Sequence, residues 1–127
     1  MQGQKAQLFD LNGRWIDINA AGSPDITISH DLTEDTVRAD YAETKRCKDR
    51  DGSSLEETTL DFQGTLNGNR FEGTINVCNF GDVPKKGWVL ERLELTVSSD
   101  GNELDGRYFC SVDGDWVSVA FTKMTSA

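Results

Sequence analysis

Six Asx-Gly pairs cut this chain into short segments: Asn12-Gly13, Asp51-Gly52, Asn67-Gly68, Asp100-Gly101, Asp105-Gly106 and Asp113-Gly114. Asn and Asp tolerate positive φ and glycine adopts it freely, so such pairs are the strongest short-range signal for tight turns between strands. The segments between them alternate apolar with polar residues and are rich in Val, Ile, Thr, Phe and Tyr, the period-two pattern of a half-buried strand. This spacing predicts eight strands, at 13–19, 25–30, 35–43, 57–66, 70–78, 88–98, 103–112 and 115–124. No segment carries a helical stripe over three turns. The expectation is an all-β fold, an eight-stranded antiparallel up-and-down (meander) barrel, because short connections favour pairing of successive strands and closure leaves no exposed edge.

The chain has 127 residues, a length that suits one domain with a real core. We expect a flexible N-terminal segment at 1–10 and a single barrel domain at 11–127. A 36% apolar fraction and a mean hydropathy of -0.53 fit a thin-walled β structure with a wet outer face. No apolar run of about 18 residues is present, so no membrane-spanning segment is expected.

A formal charge of -9 argues against nucleic acid and anionic membranes as partners. The one basic cluster, Lys45, Arg46, Lys48 and Arg50, is interleaved with Asp49 and Asp51 and lacks aromatic residues, so it reads as a solvated loop. Two connections are longer than the rest, 44–56 and 79–87. Asp49-x-Asp51-Gly52 places its glycine too early for a calcium loop, and a charged turn is the simpler account.

Cys47, Cys78 and Cys110 form no CxxC pair and accompany a single histidine, His30, so no metal site is expected. Strand phase puts Cys110 on an apolar face and Cys78 on the opposite face near a strand end, where a bridge to Cys47 is geometrically feasible. Three reduced thiols are the competing reading. A disulfide would suit an extracytoplasmic or secreted protein, and reduced thiols the cytoplasm. Residues 1–7 are polar and contain no signal-peptide core, as in a mature chain whose leader has been replaced by an initiating Met.

Leu11-Asn12-Gly13-Arg14-Trp15 resembles the Gly-x-Trp opening of the calycins, the group of lipocalins, fatty-acid-binding proteins and avidins. The avidin branch is nearest in pattern: Gly22-Ser23, Ile26 to Ile28, Ala39 to Tyr41 and the closing Asp115-Trp116 through Phe121-Thr122-Lys123 are similar to its early and final strands. The resemblance covers the first 35 or so residues and the last ten. It implies a barrel plugged at one end by Trp15 and open at the other on a ligand cavity. Asp17 stands at the position of the avidin ureido-binding Asn, Tyr41 is retained, and Glu43 replaces the expected Ser or Thr.

If Trp15 points inward, then Asp17, Tyr41, Glu43, Glu91 and Tyr108 share the inner face, and Trp88 and Trp116 sit at strand starts beside the loops. Polar groups among apolar walls are the composition of a ligand site, whereas ordinary core and rim packing explains the same residues more plainly. The leading expectation is a non-catalytic protein binding a small, partly apolar ligand, with Tyr41, Trp88, Tyr108 and Trp116 as apolar contacts and Asp17 and Glu43 as polar ones. No cofactor is expected. Two rivals remain: an inhibitor or immunity protein that grips a basic partner through loops 44–56 and 79–87, and a small barrel enzyme of cyclase or isomerase type using Glu91 or Asp17. Ile16 and Ile18 would face outward, which leaves room for a homo-oligomer.

Overall fold

The structure is a computed structural model and describes residues 9–19 and 24–124. Eight strands follow in order: β1 (Gly13–Asp17), β2 (Ile26–Asp31), β3 (Thr36–Lys48), β4 (Ser54–Asn67), β5 (Arg70–Asn79), β6 (Gly87–Val97), β7 (Glu103–Cys110) and β8 (Asp115–Lys123). Each pairs antiparallel with the next, and β8 returns to β1 through Trp15 opposite Lys123 and Asp17 opposite Phe121, closing the barrel. The expected meander is thus what the chain forms. Among the described residues there is no helix, and so none long and apolar enough to cross a membrane.

Alternation sends one side chain in two to the interior. Trp15, Ile26, Ile28, Val37, Ala39, Phe62, Leu66, Phe71, Leu93, Leu95, Leu104 and Phe121 make a dry core. Phe62 is its hub, 5.5 Å from Phe71 in an edge-to-face contact and 5.2 Å from Phe121. Trp15 is fully buried and donates its indole N–H to the Leu11 carbonyl at 2.9 Å, at the end where the chain enters β1, which satisfies the ring's only donor. At the same end His30 is buried, and its Nδ1 accepts the Leu11 N–H at 3.1 Å. The ring proton therefore sits on Nε2, 3.1 Å from Asp35 Oδ1. Phe9 packs on this core from outside the first strand, and residues 1–8 lie outside the described ones.

Close backbone approach tightens the wall between β4 and β5. Gly64 and Gly73 face each other directly, and a Cβ on Gly64 would lie 2.6 Å from Gly73 Cα and 2.8 Å from Phe71 Cζ. Only residues without a side chain fit that crossing.

The structure departs from the sequence expectation between β3 and β4. The stretch 44–56, expected as a loop, is largely ladder: β3 runs on to Lys48, β4 begins at Ser54, and only the turn 49–53 is irregular. Its charged residues face water on a two-stranded ribbon, and this polar exterior is what hid the strand. Beyond the Phe62–Ile75 pair β4 parts from β5, so the distal β3–β4 ribbon and the distal β5–β6 ribbon project as two arms beside the open end.

Candidate functional site

Two irregularities in the β3–β4 ladder shape the open end. Ala39 pairs with Phe62 and Asp40 with Leu60, so Asp61 is an extra residue on β4. Such a bulge leaves one residue without a partner and re-aims its side chain. Asp61 is turned inward beside Phe62 and is only 4% exposed. On β3 the pairing then jumps from Asp40 to Lys45, so residues 41–44 leave the β4 ladder. Tyr41 stays paired to β2 opposite Ile26 and points inward, whereas Glu43 is turned out to solvent.

The result is a cup of about 190 Å³ at the mouth of the barrel. Asp17, Tyr41, Lys45 and Asp61 line one side, and Ile75 to Cys78, Trp88, Tyr108 and Val119 line the rest. The Tyr41 hydroxyl donates to Asp61 Oδ1 at 3.2 Å, and Lys45 Nζ lies 5.0 Å from the centre of the Tyr41 ring. Asp17 Oδ1 accepts the Asn19 N–H at 2.9 Å. Burial pushes the Asp61 carboxyl up to about 7; repulsion from Asp17 adds to the rise, and the Tyr41 hydroxyl and Lys45 oppose it. Tyr41 is raised by burial and by the Asp61 charge, and Tyr108 by burial and then by the acidic groups Cys110, Glu91, Asp113 and Asp17.

Of the residues singled out from the sequence, Asp17, Tyr41, Trp88 and Tyr108 come together in this cup. Glu43, Glu91 and Trp116 do not line it. Glu91 is buried, and its Oε2 accepts both the backbone N–H of Ser111 at 2.7 Å and the Ser111 hydroxyl at 2.6 Å, tying the β7–β8 turn to β6. Trp116 is on the outer wall, 5.4 Å edge-to-face from Phe109 and beneath the Arg107 guanidinium at 4.0 Å. Asp61 and Lys45 were not foreseen: strict alternation places Asp61 outside, and Lys45 lies in the charged stretch expected as a loop. The one sequence cue was an Asp set between Leu60 and Phe62 inside a strand.

The two arms beside the cup are tied together. Cys47 and Cys78 form a disulfide across a Cα–Cα distance of 5.4 Å, and Cys110 is a buried free thiol. Asp49 Oδ2 pairs with Lys86 at 2.7 Å and its Oδ1 accepts the Gly81 N–H at 2.8 Å, contacts that hold its carboxyl down to about 2. Glu56 Oε1 accepts the Trp88 N–H at 2.9 Å, and the Trp88 indole N–H reaches the Glu56 carbonyl at 3.3 Å. Gly87, at φ 101°, lets the Glu56 side chain sit against its backbone, where a Cβ would lie 3.0 Å from Glu56 Cδ. Trp88 is thereby fixed in the cup wall by the opposite arm.

A larger, shallow dish of about 690 Å³ lies on the outer wall of β2, β3 and β4, lined by Ser29, Asp31, Thr36, Arg38, Gln63 and Thr65 among others. Its guanidinium, Arg38, already pairs with Asp40 at 2.9 Å. Among the described residues no group of three or more His, Cys, Asp or Glu side chains is placed to hold a metal ion. Comparison with protein-family models, with curated proteins and with solved structures finds no match for this chain.

Proposed function

We propose that this chain is a non-catalytic binding protein whose barrel mouth takes a small, partly apolar group. The observation that carries this reading is the nearly buried Asp61 carboxyl, turned into a cup walled by Tyr41, Trp88 and Tyr108. A polar group placed among aromatic walls on a rigid scaffold is the composition of a ligand site, since an idle buried carboxyl costs stability. At about 190 Å³ the cup is smaller than the roughly 300–1,000 Å³ usual for drug-sized ligands, so it suits one ring or one branched side chain. The calycin-like Gly-x-Trp opening around the buried Trp15 supports the same reading. The disulfide supports an extracytoplasmic home.

The rival readings have less behind them. Segments 44–56 and 79–87 carry Lys45, Arg46, Lys48, Arg50, Lys85 and Lys86 against Asp49, Asp51, Glu56 and Asp82, so the acidity of the chain lies elsewhere and these segments do not invite a basic partner. An acid-base role for Glu91 competes with the two hydrogen bonds its Oε2 accepts from Ser111. The test is to titrate isotope-labelled, oxidised protein with a panel of single-ring compounds and map the shifted resonances. The reading requires shifts at Trp88, Tyr108 and the backbone around Asp61. It is lost if every compound leaves them in place.

A further inference from the structure

We propose that the group received by the cup is cationic: an ammonium carried on a single small ring. This inference rests on the binding function proposed above and specifies its chemistry.

Two carboxyl groups, Asp17 and Asp61, line the same cavity. Asp61 is 4% exposed, and among the described residues the one hydrogen bond to its side chain is the Tyr41 hydroxyl on Oδ1. A carboxylate can accept about four hydrogen bonds, so Asp61 retains capacity that a buried acid ordinarily fills. The neighbouring Asp17 carboxylate opposes its ionisation, as does burial itself. A bound ammonium would offset both effects, adding to the smaller opposing pull of Lys45 at the rim; a neutral guest would offset neither, and an anionic guest would add negative charge beside Asp17.

The walls favour the same guest. Tyr41, Trp88 and Tyr108 supply aromatic rings, whose negative faces attract cations in sites shielded from water. The chain already demonstrates the preference, because Lys45 brings its own ammonium to 5.0 Å from the Tyr41 ring centre. Lys45 thus marks where a cation sits at the rim. The deeper position beside Asp61 is shaped by the ladder bulge that turned this carboxyl inward.

The experiment compares three probes of nearly equal shape on the oxidised full-length chain at neutral pH: phenethylamine, the neutral phenethyl alcohol and the anionic phenylacetate. Binding is followed at the Trp88 indole and the Tyr108 ring, which separates the cup from loose attraction of amines to the acidic exterior. A charge-assisted hydrogen bond in a shielded site predicts that the amine binds about tenfold to a hundredfold tighter than the alcohol, with phenylacetate weakest. Asp61→Asn should abolish the advantage of the amine over the alcohol, and Asp17→Asn should reduce that advantage by a smaller factor. Equal binding of amine and alcohol at Trp88 and Tyr108, or tighter binding of phenylacetate, overturns the cationic assignment while the binding reading stands. If none of the three probes moves the cup resonances, both fall together.

Discussion

The hydroxyl of Tyr41 is the hydrogen-bond donor that the buried Asp61 carboxyl has from the described part of the chain, at 3.2 Å across the β3–β4 bulge. Tyr41→Phe removes it while keeping the ring. The expected cost is about 1–2 kcal/mol in chemical denaturation, since a buried acceptor is left unsatisfied. The Asp61 carboxyl should then titrate still higher, which carbon-detected NMR of the carboxyl resonance would follow.

Asp61 also sets a pH dependence of known sign. Unfolded, it titrates near its ordinary 3.8; folded, burial pushes it up to about 7. Between those values the native state holds a proton that the unfolded chain has released, so stability falls as pH rises. The contribution is intact below the ordinary value, and its loss is complete above about 7, amounting to about 4 kcal/mol. Asp61→Asn should flatten this part of the stability profile and leave the variant more stable than the parent in mildly alkaline buffer. Urea midpoints across the pH range check both statements.

Reduction of Cys47–Cys78 should loosen both arms. The bridge closes a sequence separation of 31 residues, for which chain entropy gives a stabilisation of about 3–4 kcal/mol. Cys47→Ser with Cys78→Ser should lower the urea midpoint accordingly and broaden the Trp88 resonances, because Trp88 is held by Glu56 from the opposite arm. A thiol titration of denatured, unreduced protein should count one thiol, that of Cys110.

Replacing Glu91 by Ala strips the Ser111 N–H and hydroxyl of their shared acceptor. A loss of about 2–3 kcal/mol is expected, with faster amide hydrogen exchange in the β7–β8 turn. Ligand affinity at the cup should change little, which separates a structural carboxylate from a binding one.

Gly64→Ala tests the close crossing of β4 and β5. Its methyl would meet Gly73 Cα at 2.6 Å and the Phe71 ring at 2.8 Å, so backbone rather than a yielding side chain blocks it. Overpacking of this kind costs about 1–3 kcal/mol, read as a lowered Tm with an unchanged circular dichroism spectrum.

Strand number, order and facing were legible because the signals are local. Four of the six Asx-Gly pairs lie in turns between strands, while Gly13 opens β1 and Asp105-Gly106 falls inside β7. Alternation put Ala39, Phe71 and Leu95 inward, where they are buried, and the Gly-x-Trp resemblance put Trp15 there. The eighth strand read ambiguously, since Val117, Val119 and Phe121 oppose Trp116, Ser118 and Ala120. The register resolves it: Phe121 faces the core and Trp116 the outer wall. The cup was only half legible. Asp17, Tyr41, Trp88 and Tyr108 follow from phase, but a bulge shifts phase without leaving a mark in the local pattern. Glu43 therefore read as inward and is outward, while Asp61 read as outward and is inward. Bulges answer to the partner strand, which no single segment records.

The pairing of β1 with β8 carries a consequence for biogenesis. Until residues 115–123 leave the ribosome, the nascent chain is an open ribbon with an unpaired strand at each margin, able to capture a neighbour's strand. β8, the strand that closes the barrel, removes both margins in one step. Truncation before Asp115 should therefore produce a sticky sheet prone to assemble with its own kind, whereas joining the ends of β1 and β8 and cutting the chain at the exposed turn before β7 should preserve the native ring of strands.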